Sequence, residues 1–241
     1  MNGAVIIPAR FESSRFPGKP LIDIHGKPMI RHVYEKCVQA VGRQNTIIAT
    51  DDNKIKEISN SFGAKVVMTS SDCLTGTDRI AEANKILGLD FVINVQGDEP
   101  MTKPDDVKMV YRFMENNSEN VLNCFCKIKK DEVVMASVPK VVVSETNKLI
   151  YMSRSGVPFN KNLKPQANYK QVCIYGFSKK HLELFSSNPG KTMNEKYEDL
   201  EILRFLDLDI PVQMFEVEPG GIAVDTPEDL ERVLVAMGSN W

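Results

Sequence analysis

The chain has 241 residues, a formal net charge of −2 at pH 7, and 42% hydrophobic and 26% charged residues. This composition suffices for one large α/β domain, and the near-neutral charge argues against a general attraction to nucleic acid or an anionic membrane. No apolar run approaches the roughly 20 residues of a transmembrane helix. Pro8 and Arg10 interrupt the first apolar run, unlike the core of a secretory leader. We therefore expect a cytoplasmic protein without nucleic-acid or membrane partners.

Short apolar runs alternate with helical patterns along the first half of the chain. Strands are predicted over residues 4–8, 46–50, 65–68 and 91–95, and helices over 29–39, 52–62 and 77–87. Asp52 is expected to cap the second helix, and either Thr77 or Asp78 the third. The alternation at this spacing favours an α/β fold with a doubly wound, mostly parallel sheet.

The second half has a more mixed pattern. Strands are predicted over residues 120–128, 138–144, 149–152, 171–177 and 212–216, a loop over 155–169, and a helix over 195–208. A last helix is predicted to begin at Thr226-Pro227, with acidic residues in its first turn. No clear linker separates the halves, so we expect a single domain over 1–241.

A basic loop follows the first predicted strand. Arg10, Arg15 and Lys19 lie within ten residues of one another, and Pro17, Gly18 and Pro20 stiffen the loop. Open α/β sheets bind ligands at the carboxyl ends of their strands. Arginine can fork two phosphate oxygens, and lysine supplies a compact charge. The loop is therefore predicted to bind a triphosphate, although it matches neither the P-loop nor the dinucleotide signature.

Two acidic residues follow glycine-containing turns. Asp98 comes directly after the strand predicted over 91–95 and Gly97, and Asp225 follows the turn at Gly220-Gly221. Magnesium prefers a few carboxylates together with phosphate oxygens and water. Asp98 is therefore placed to hold Mg²⁺, with a solvated turn residue as the alternative, and Asp225 offers a second acid, with an extra helix cap as the alternative.

Five segments together resemble the 3-deoxy-manno-octulosonate (KDO) cytidylyltransferases, a group of sugar nucleotidyltransferases. They are residues 8–21 with 26–30 (PARFESSRFPGKPL and GKPMI), 75–79 (TGTDR), 94–101 (NVQGDEPM), 174–177 (IYGF) and 224–231 (VDTPEDLE). The segments occur in the family's order and at roughly its spacing, so the resemblance covers essentially the whole chain.

The resemblance implies an enzyme that joins CMP from CTP to the anomeric hydroxyl of KDO, releases pyrophosphate, uses Mg²⁺ and forms a homodimer. It implies that Arg10, Arg15, Lys19, Asp98 and Asp225 are catalytic, the last two as metal ligands. The implied nucleotide-binding residues are Pro8, Ala9, Arg10, Ser13, Arg15, Lys19, Thr75, Gly76, Thr77 and Arg79. Residues 1–118 would mainly form the CTP-binding core, and residues 119–241 mainly the smaller mixed region for acceptor binding and dimerisation, with the second metal ligand. The product would serve lipopolysaccharide or capsule synthesis.

An acidic sugar needs an arginine for its carboxylate and polar groups for its hydroxyls. The candidates are Gln96, Arg154, Gln171, Tyr175, Glu198 and Glu201. Arg154 could instead form a surface ion pair, and Glu198 and Glu201, three residues apart on the predicted helix, could be solvated charges on one face.

One position departs from the family's pattern. KDO enzymes usually carry a histidine where this chain has Gln171, and a glycine where it has Cys173. A KDO analogue with an amino group in place of a tail hydroxyl therefore stays open as the acceptor. A nonulosonic, sialic-type acid is a further alternative, and a silent nucleotide-binding subunit would be a different class of protein.

Overall fold

The computed structural model describes residues 1–12, 16–117, 119–161, 164–165, 167–188 and 190–238. Its strands are β1 Gly3–Ala9, β2 Asp23–Ile24, β3 Lys27–Pro28, β4 Thr46–Thr50, β5 Lys65–Met68, β6 Phe91–Val95, β7 Val121–Lys127, β8 Lys140–Val143, β9 Leu149–Ser153, β10 Phe159–Asn160, β11 Lys164–Pro165, β12 Tyr169–Ser178 and β13 Val212–Glu216. Its α-helices are α1 Met29–Val41, α2 Asn53–Ser61, α3 Gly76–Leu87, α4 Pro104–Asn116, α5 Lys179–Ser187, α6 Met193–Glu198, α7 Leu203–Asp207 and α8 Pro227–Gly238.

One large sheet organises these elements. Its strands run in the order β13-β7-β12-β6-β1-β4-β5, with β8 and β9 continuing from β12. Along that path β12 is antiparallel to both neighbours, and the other pairs are parallel. The predicted α/β fold with a mostly parallel sheet is confirmed, and β12 joins the two halves of the chain through β6.

Helices cover both faces of the sheet because successive side chains of its buried strands point to opposite faces. Val5 and Ile7 of β1 belong to the apolar cluster that includes α1 and α4, whereas Ala4 and Ile6 belong to the cluster that includes α3 and α5. In the described residues, no helix is both long enough and apolar enough to cross a membrane.

A third, smaller cluster links the C-terminal segment to the basic loop. Ile24 of β2 and Met29, the first residue of α1, pack with Val224 and with Val233 of α8. The backbone N–H of Val224 also donates a hydrogen bond to the carbonyl of Asp98, at 2.9 Å. These contacts hold the segment carrying Asp225 beside the first loop.

The helix predicted over 195–208 is wrong. The structure has two short helices, α6 and α7, because Asp199 adopts a left-handed conformation with φ of 51° and ends α6. Glu198 and Glu201 therefore do not share a helical face. The predicted 155–169 loop also contains the small antiparallel pair of β10 and β11, and the helices α4 and α5 were missed.

Candidate active site

Asp98 and Asp225 meet at the carboxyl end of the sheet, where Lys19 lies between them. The Lys19 Nζ is 2.7 Å from Asp98 Oδ2 and 3.1 Å from Asp225 Oδ1. Burial, the largest influence, lowers the pKa of Lys19, but the two carboxylates outweigh it, and the net pKa is raised. The ammonium therefore stays charged and bridges two acids that lie about half the chain apart in the sequence.

The backbone of the first loop presents Lys19 to this site. Gly18 has φ of 70°, a conformation that side chains rarely adopt, and its N–H donates to the carbonyl of Phe11 at 2.9 Å. A 3₁₀ turn over Lys19–Leu21 follows. Arg10 is exposed beside the same site, whereas the predicted Ser13 and Arg15 lie outside the described residues.

A cleft of about 210 Å³ opens beside Lys19 and the two acids. It gathers most of the described residues predicted to bind the nucleotide: Pro8, Ala9, Arg10, Lys19, Thr75, Gly76 and Arg79. Thr77 is different, because it is fully buried and does not line this cleft. We call this the nucleotide cleft.

Thr75 caps α3, which corrects the predicted cap at Thr77 or Asp78. Its hydroxyl accepts the backbone N–H of Asp78 at 3.1 Å and donates to the Asp78 carboxylate at 2.8 Å. The preceding loop is thereby fixed at the mouth of the nucleotide cleft.

Arg79 supports the wall of the nucleotide cleft from within the protein. Its side chain is buried, with an ion pair to Asp51 at 3.0 Å and a hydrogen bond to Thr69. These contacts tie α3 to the segments that follow β4 and β5.

A larger cleft of about 350 Å³ adjoins the first. Residues that line both are Arg10, Thr75, Gly76, Gln96, Asp98 and Asp225. Of the predicted sugar-binding residues, Gln96, Arg154, Gln171, Tyr175 and Glu201 line it. We call this the acceptor cleft, and the two acids lie at its junction with the nucleotide cleft.

Arg154 brings a positive charge to the acceptor cleft. Its side chain donates to the carbonyls of Glu198, Ala136 and Asp199, the last two at 3.0 Å. Among the described residues no carboxylate forms an ion pair with its guanidinium, so the ion pair considered for Arg154 is not formed there. The charge is held in place by neutral acceptors.

Glu198 lies behind Arg154 and does not line the acceptor cleft. Its carboxylate accepts the Ser153 hydroxyl at 2.6 Å and the Arg154 backbone N–H at 2.8 Å. These contacts indicate that Glu198 positions Arg154 and does not itself contact a ligand in the cleft.

Gln171 is fixed by a bulge in β12. The Asn123 side chain donates to the carbonyls of Val172 and Ile174, both at 3.0 Å, where the pairing of β12 with β7 shifts register. The same Asn123 side chain accepts from Gln171 Nε2 at 3.0 Å, and Gln171 Nε2 also donates to the Tyr175 hydroxyl at 3.1 Å. Both N–H groups of the Gln171 amide are thus engaged, and its carbonyl oxygen is left as an acceptor.

Two further carboxylates, the half-buried Glu201 and the buried Glu99, line the acceptor cleft. Glu201 accepts from Gln96 Nε2 at 2.8 Å and from the Thr77 N–H at 2.9 Å, and burial raises its pKa. Glu99 was missed as a site residue, although it follows Asp98 directly. Burial, with a smaller contribution from Asp98, raises the pKa of Glu99 to about 7.

The acid pair fits the predicted magnesium ion. Both carboxylates already contact one cation, the Lys19 ammonium, so they can converge on a single positive charge. The described residues contain no cluster of three or more protein ligands. A magnesium ion there would therefore complete its shell with phosphate oxygens and water, as Mg²⁺ commonly does.

Comparison with known proteins agrees with this geometry. A family model described as cytidylyltransferase matches residues 4–210. The chain belongs to the cytidylyltransferase family. This cytidylyltransferase is 40% identical over 237 residues to the 3-deoxy-manno-octulosonate cytidylyltransferase of Escherichia coli, covering 98% of this chain and 96% of that one. It is also 40% identical to an 8-amino-3,8-dideoxy-manno-octulosonate cytidylyltransferase of Shewanella baltica, strain OS195, covering 96% and 97%.

Solved structures show the same relationship. The cytidylyltransferase matches a structure of CMP:2-keto-3-deoxy-manno-octonic acid synthetase complexed with CTP, with a TM-score of 0.91, 39% identity and full coverage of both chains. It also matches a structure named as a putative glucose-1-phosphate thymidylyltransferase from Bacillus anthracis. That match has a TM-score of 0.71 at 17% identity and covers 97% of this chain and 94% of that one. The similarity to the thymidylyltransferase shows only that the two proteins share a fold.

Proposed function

We propose that this cytidylyltransferase transfers CMP from CTP to the anomeric hydroxyl of KDO or a close analogue and releases pyrophosphate. The observation that carries the proposal is the junction of the two clefts at Asp98 and Asp225. A sugar in the acceptor cleft would face the α-phosphate of a nucleotide in the nucleotide cleft there. Relatives named for KDO and for 8-amino-KDO support this assignment.

The nucleotide side works by neutralising and aligning charge. Lys19 and Arg10 would hold triphosphate oxygens and stabilise the leaving pyrophosphate, and Arg15 is proposed for the same task. Magnesium held by Asp98 and Asp225 would supply electrophilic assistance at the phosphate and lower the pKa of the attacking hydroxyl. Lys19 contacts both acids, so a metal ion held there would compete with its ammonium for the same carboxylates.

The acceptor side recognises an acid and hydroxyl groups. Arg154 would bind the sugar carboxylate, because its charge faces the cleft without an ion-pair partner among the described residues. Gln96, Gln171, Tyr175 and Glu201 would orient the hydroxyls. Orienting the reactants supplies much of the rate enhancement when little covalent chemistry falls to the protein.

An 8-amino-KDO acceptor is the second candidate. The observation that favours it is Gln171, which stands where KDO enzymes usually have histidine and offers a carbonyl oxygen to a donor such as an amine. We further propose a cytoplasmic homodimer that activates the sugar for lipopolysaccharide or capsule synthesis.

The proposal is tested by initial rates of pyrophosphate release with CTP and Mg²⁺. KDO, its 8-amino analogue and a sialic acid are compared, and we expect the highest kcat/KM with KDO or its analogue. Asp98→Asn is expected to lower kcat by at least about 100-fold. A best rate with sialic acid would refute the acceptor assignment, and no release with any of the three would refute the transfer reaction.

A further inference from the structure

Lys140 is a buried lysine that forms no ion pair with a carboxylate in the part of the chain that the structure describes. Its side chain has no exposed surface, and its Nζ donates to the carbonyls of Met135 at 2.7 Å, Val138 at 2.9 Å and Arg154 at 2.5 Å. A lysine ammonium has three N–H donors, so all three are used. Buried lysines are usually paired with an acid, and this one instead gathers backbone oxygens.

The three carbonyls belong to two segments that wall the acceptor cleft. Met135, Val138 and Arg154 all line that cleft. The Arg154 guanidinium also binds the carbonyl of Ala136, in the segment that Lys140 holds. Lys140 therefore fixes the backbone of Arg154 relative to one of the acceptors that orient its side chain.

The Arg154 guanidinium and the Glu198 carboxylate both lie close enough to Lys140 to influence its pKa. Burial, and then the nearby Arg154 charge, lowers the pKa of Lys140, while Glu198 opposes them. The Glu198 carboxylate, at the end of α6, is engaged by the Ser153 hydroxyl and the Arg154 backbone N–H. An anion at this wall of the cleft would meet the Arg154 guanidinium.

We propose that Lys140 is a positioning residue that sets Arg154 for the carboxylate of the acceptor sugar. This inference rests on the proposed function, because it requires an acidic acceptor in this cleft. Lys140 itself touches neither substrate and acts through the cleft wall and through Arg154.

The first test compares how a substitution at Lys140 changes the KM for KDO and the KM for CTP. Lys140→Met is expected to raise the KM for KDO by about tenfold or more, since small misplacements of a binding group have effects of this size, and to change the KM for CTP by less than about twofold. Lys140→Gln, which keeps two N–H donors, is expected to have a smaller effect and serves if the methionine variant does not fold. Val141→Ala is the matched control, because Val141 is buried in the core on the same strand, and it should leave both KM values unchanged.

The second test is a double-mutant cycle with Arg154→Met. If Lys140 acts through Arg154, adding Lys140→Met, or Lys140→Gln, to Arg154→Met raises the KM for KDO by less than about twofold further. Multiplicative effects, or an equal rise in both KM values, would overturn the inference while leaving the proposed function intact. A wild-type enzyme that releases no pyrophosphate with any acidic sugar would overturn both.

Discussion

The ammonium of Lys19 holds the position between two carboxylates that a catalytic cation would need. An opposite charge at this distance stabilises each carboxylate, and a divalent ion has to compete with it. We therefore expect Lys19→Met to bind Mn²⁺ in the absence of nucleotide about tenfold more tightly than the wild type, because a like charge about 4 Å away opposes binding by about 1–4 kcal/mol and about 1.4 kcal/mol corresponds to tenfold in affinity. The same variant is expected to lose about 100-fold or more in kcat.

Electron paramagnetic resonance titration of Mn²⁺ gives the affinity without requiring turnover. Lys27→Met is the matched control, because Lys27 pairs with Glu35 outside the site. Equal Mn²⁺ affinities for the wild type and Lys19→Met would contradict the competition between ammonium and metal.

Gln171 offers a test of acceptor choice. The amide donates to Asn123 and Tyr175 at once, which a neutral histidine with a single N–H cannot do. We expect Gln171→His to shift the ratio of kcat/KM values for KDO and 8-amino-KDO toward KDO by about tenfold, the scale of one hydrogen bond. An unchanged ratio would show that Gln171 does not select the acceptor.

The convergence of Lys19, Asp98 and Asp225 could be predicted because each follows a buried strand or a glycine turn, and the resemblance supplied their roles. The partners of Glu198 could not be predicted. They depend on the left-handed turn at Asp199, which local apolar spacing does not reveal. The engagement of both Gln171 amide N–H groups likewise depends on a bulge whose partner, Asn123, is 48 residues away.

The short helices α6 and α7 are held together by a buried charge cluster. The Arg204 guanidinium donates two hydrogen bonds of 2.7 Å to the Glu195 carboxylate. It donates another, of 2.9 Å, to the carboxylate of Asp78 on α3. Its guanidinium also lies 3.7 Å from the centre of the Phe185 ring. The cluster anchors the segment that carries Glu201 to the start of α3, where the two clefts meet.

Removing this arginine would leave two acids without their counter-charge. We expect Arg204→Met to lower the free energy of unfolding by about 3–5 kcal/mol, the range for breaking a buried ion pair from one side. Urea denaturation followed by circular dichroism measures it. Arg232→Met, which removes a half-exposed ion pair with Asp229, should change stability by less than about 1 kcal/mol; equal effects of the two substitutions would contradict the role of burial.

Short apolar runs of strand length were the easiest elements to predict. The strands over 46–50, 65–68, 91–95 and 212–216 have the predicted bounds. Helix α4 was missed although it begins with Pro104 and has Asp105 and Asp106 in its first turn, a recognisable start signal. The helix predicted over 195–208 failed because leucines that pack from a turn and a short helix imitate helical spacing.

At the scale of the whole molecule, the sheet joins the two halves of the sequence. Strand β12 pairs along β6, and both large apolar clusters contain residues from each half. We therefore expect residues 1–241 to unfold as one cooperative unit, with coincident urea transitions in far-ultraviolet and tyrosine near-ultraviolet circular dichroism. Two separated transitions would show that the nucleotide and acceptor regions are independent domains.

The junction of the two clefts is the place where we propose that a nucleotide is joined to an acidic sugar. Phosphorus NMR of the wild-type enzyme with CTP, Mg²⁺ and KDO tests it most directly, because it distinguishes a sugar phosphodiester from free CMP. We expect a new phosphodiester resonance that grows together with pyrophosphate as CTP disappears. Free CMP with pyrophosphate, or CTP that persists unchanged, would contradict it.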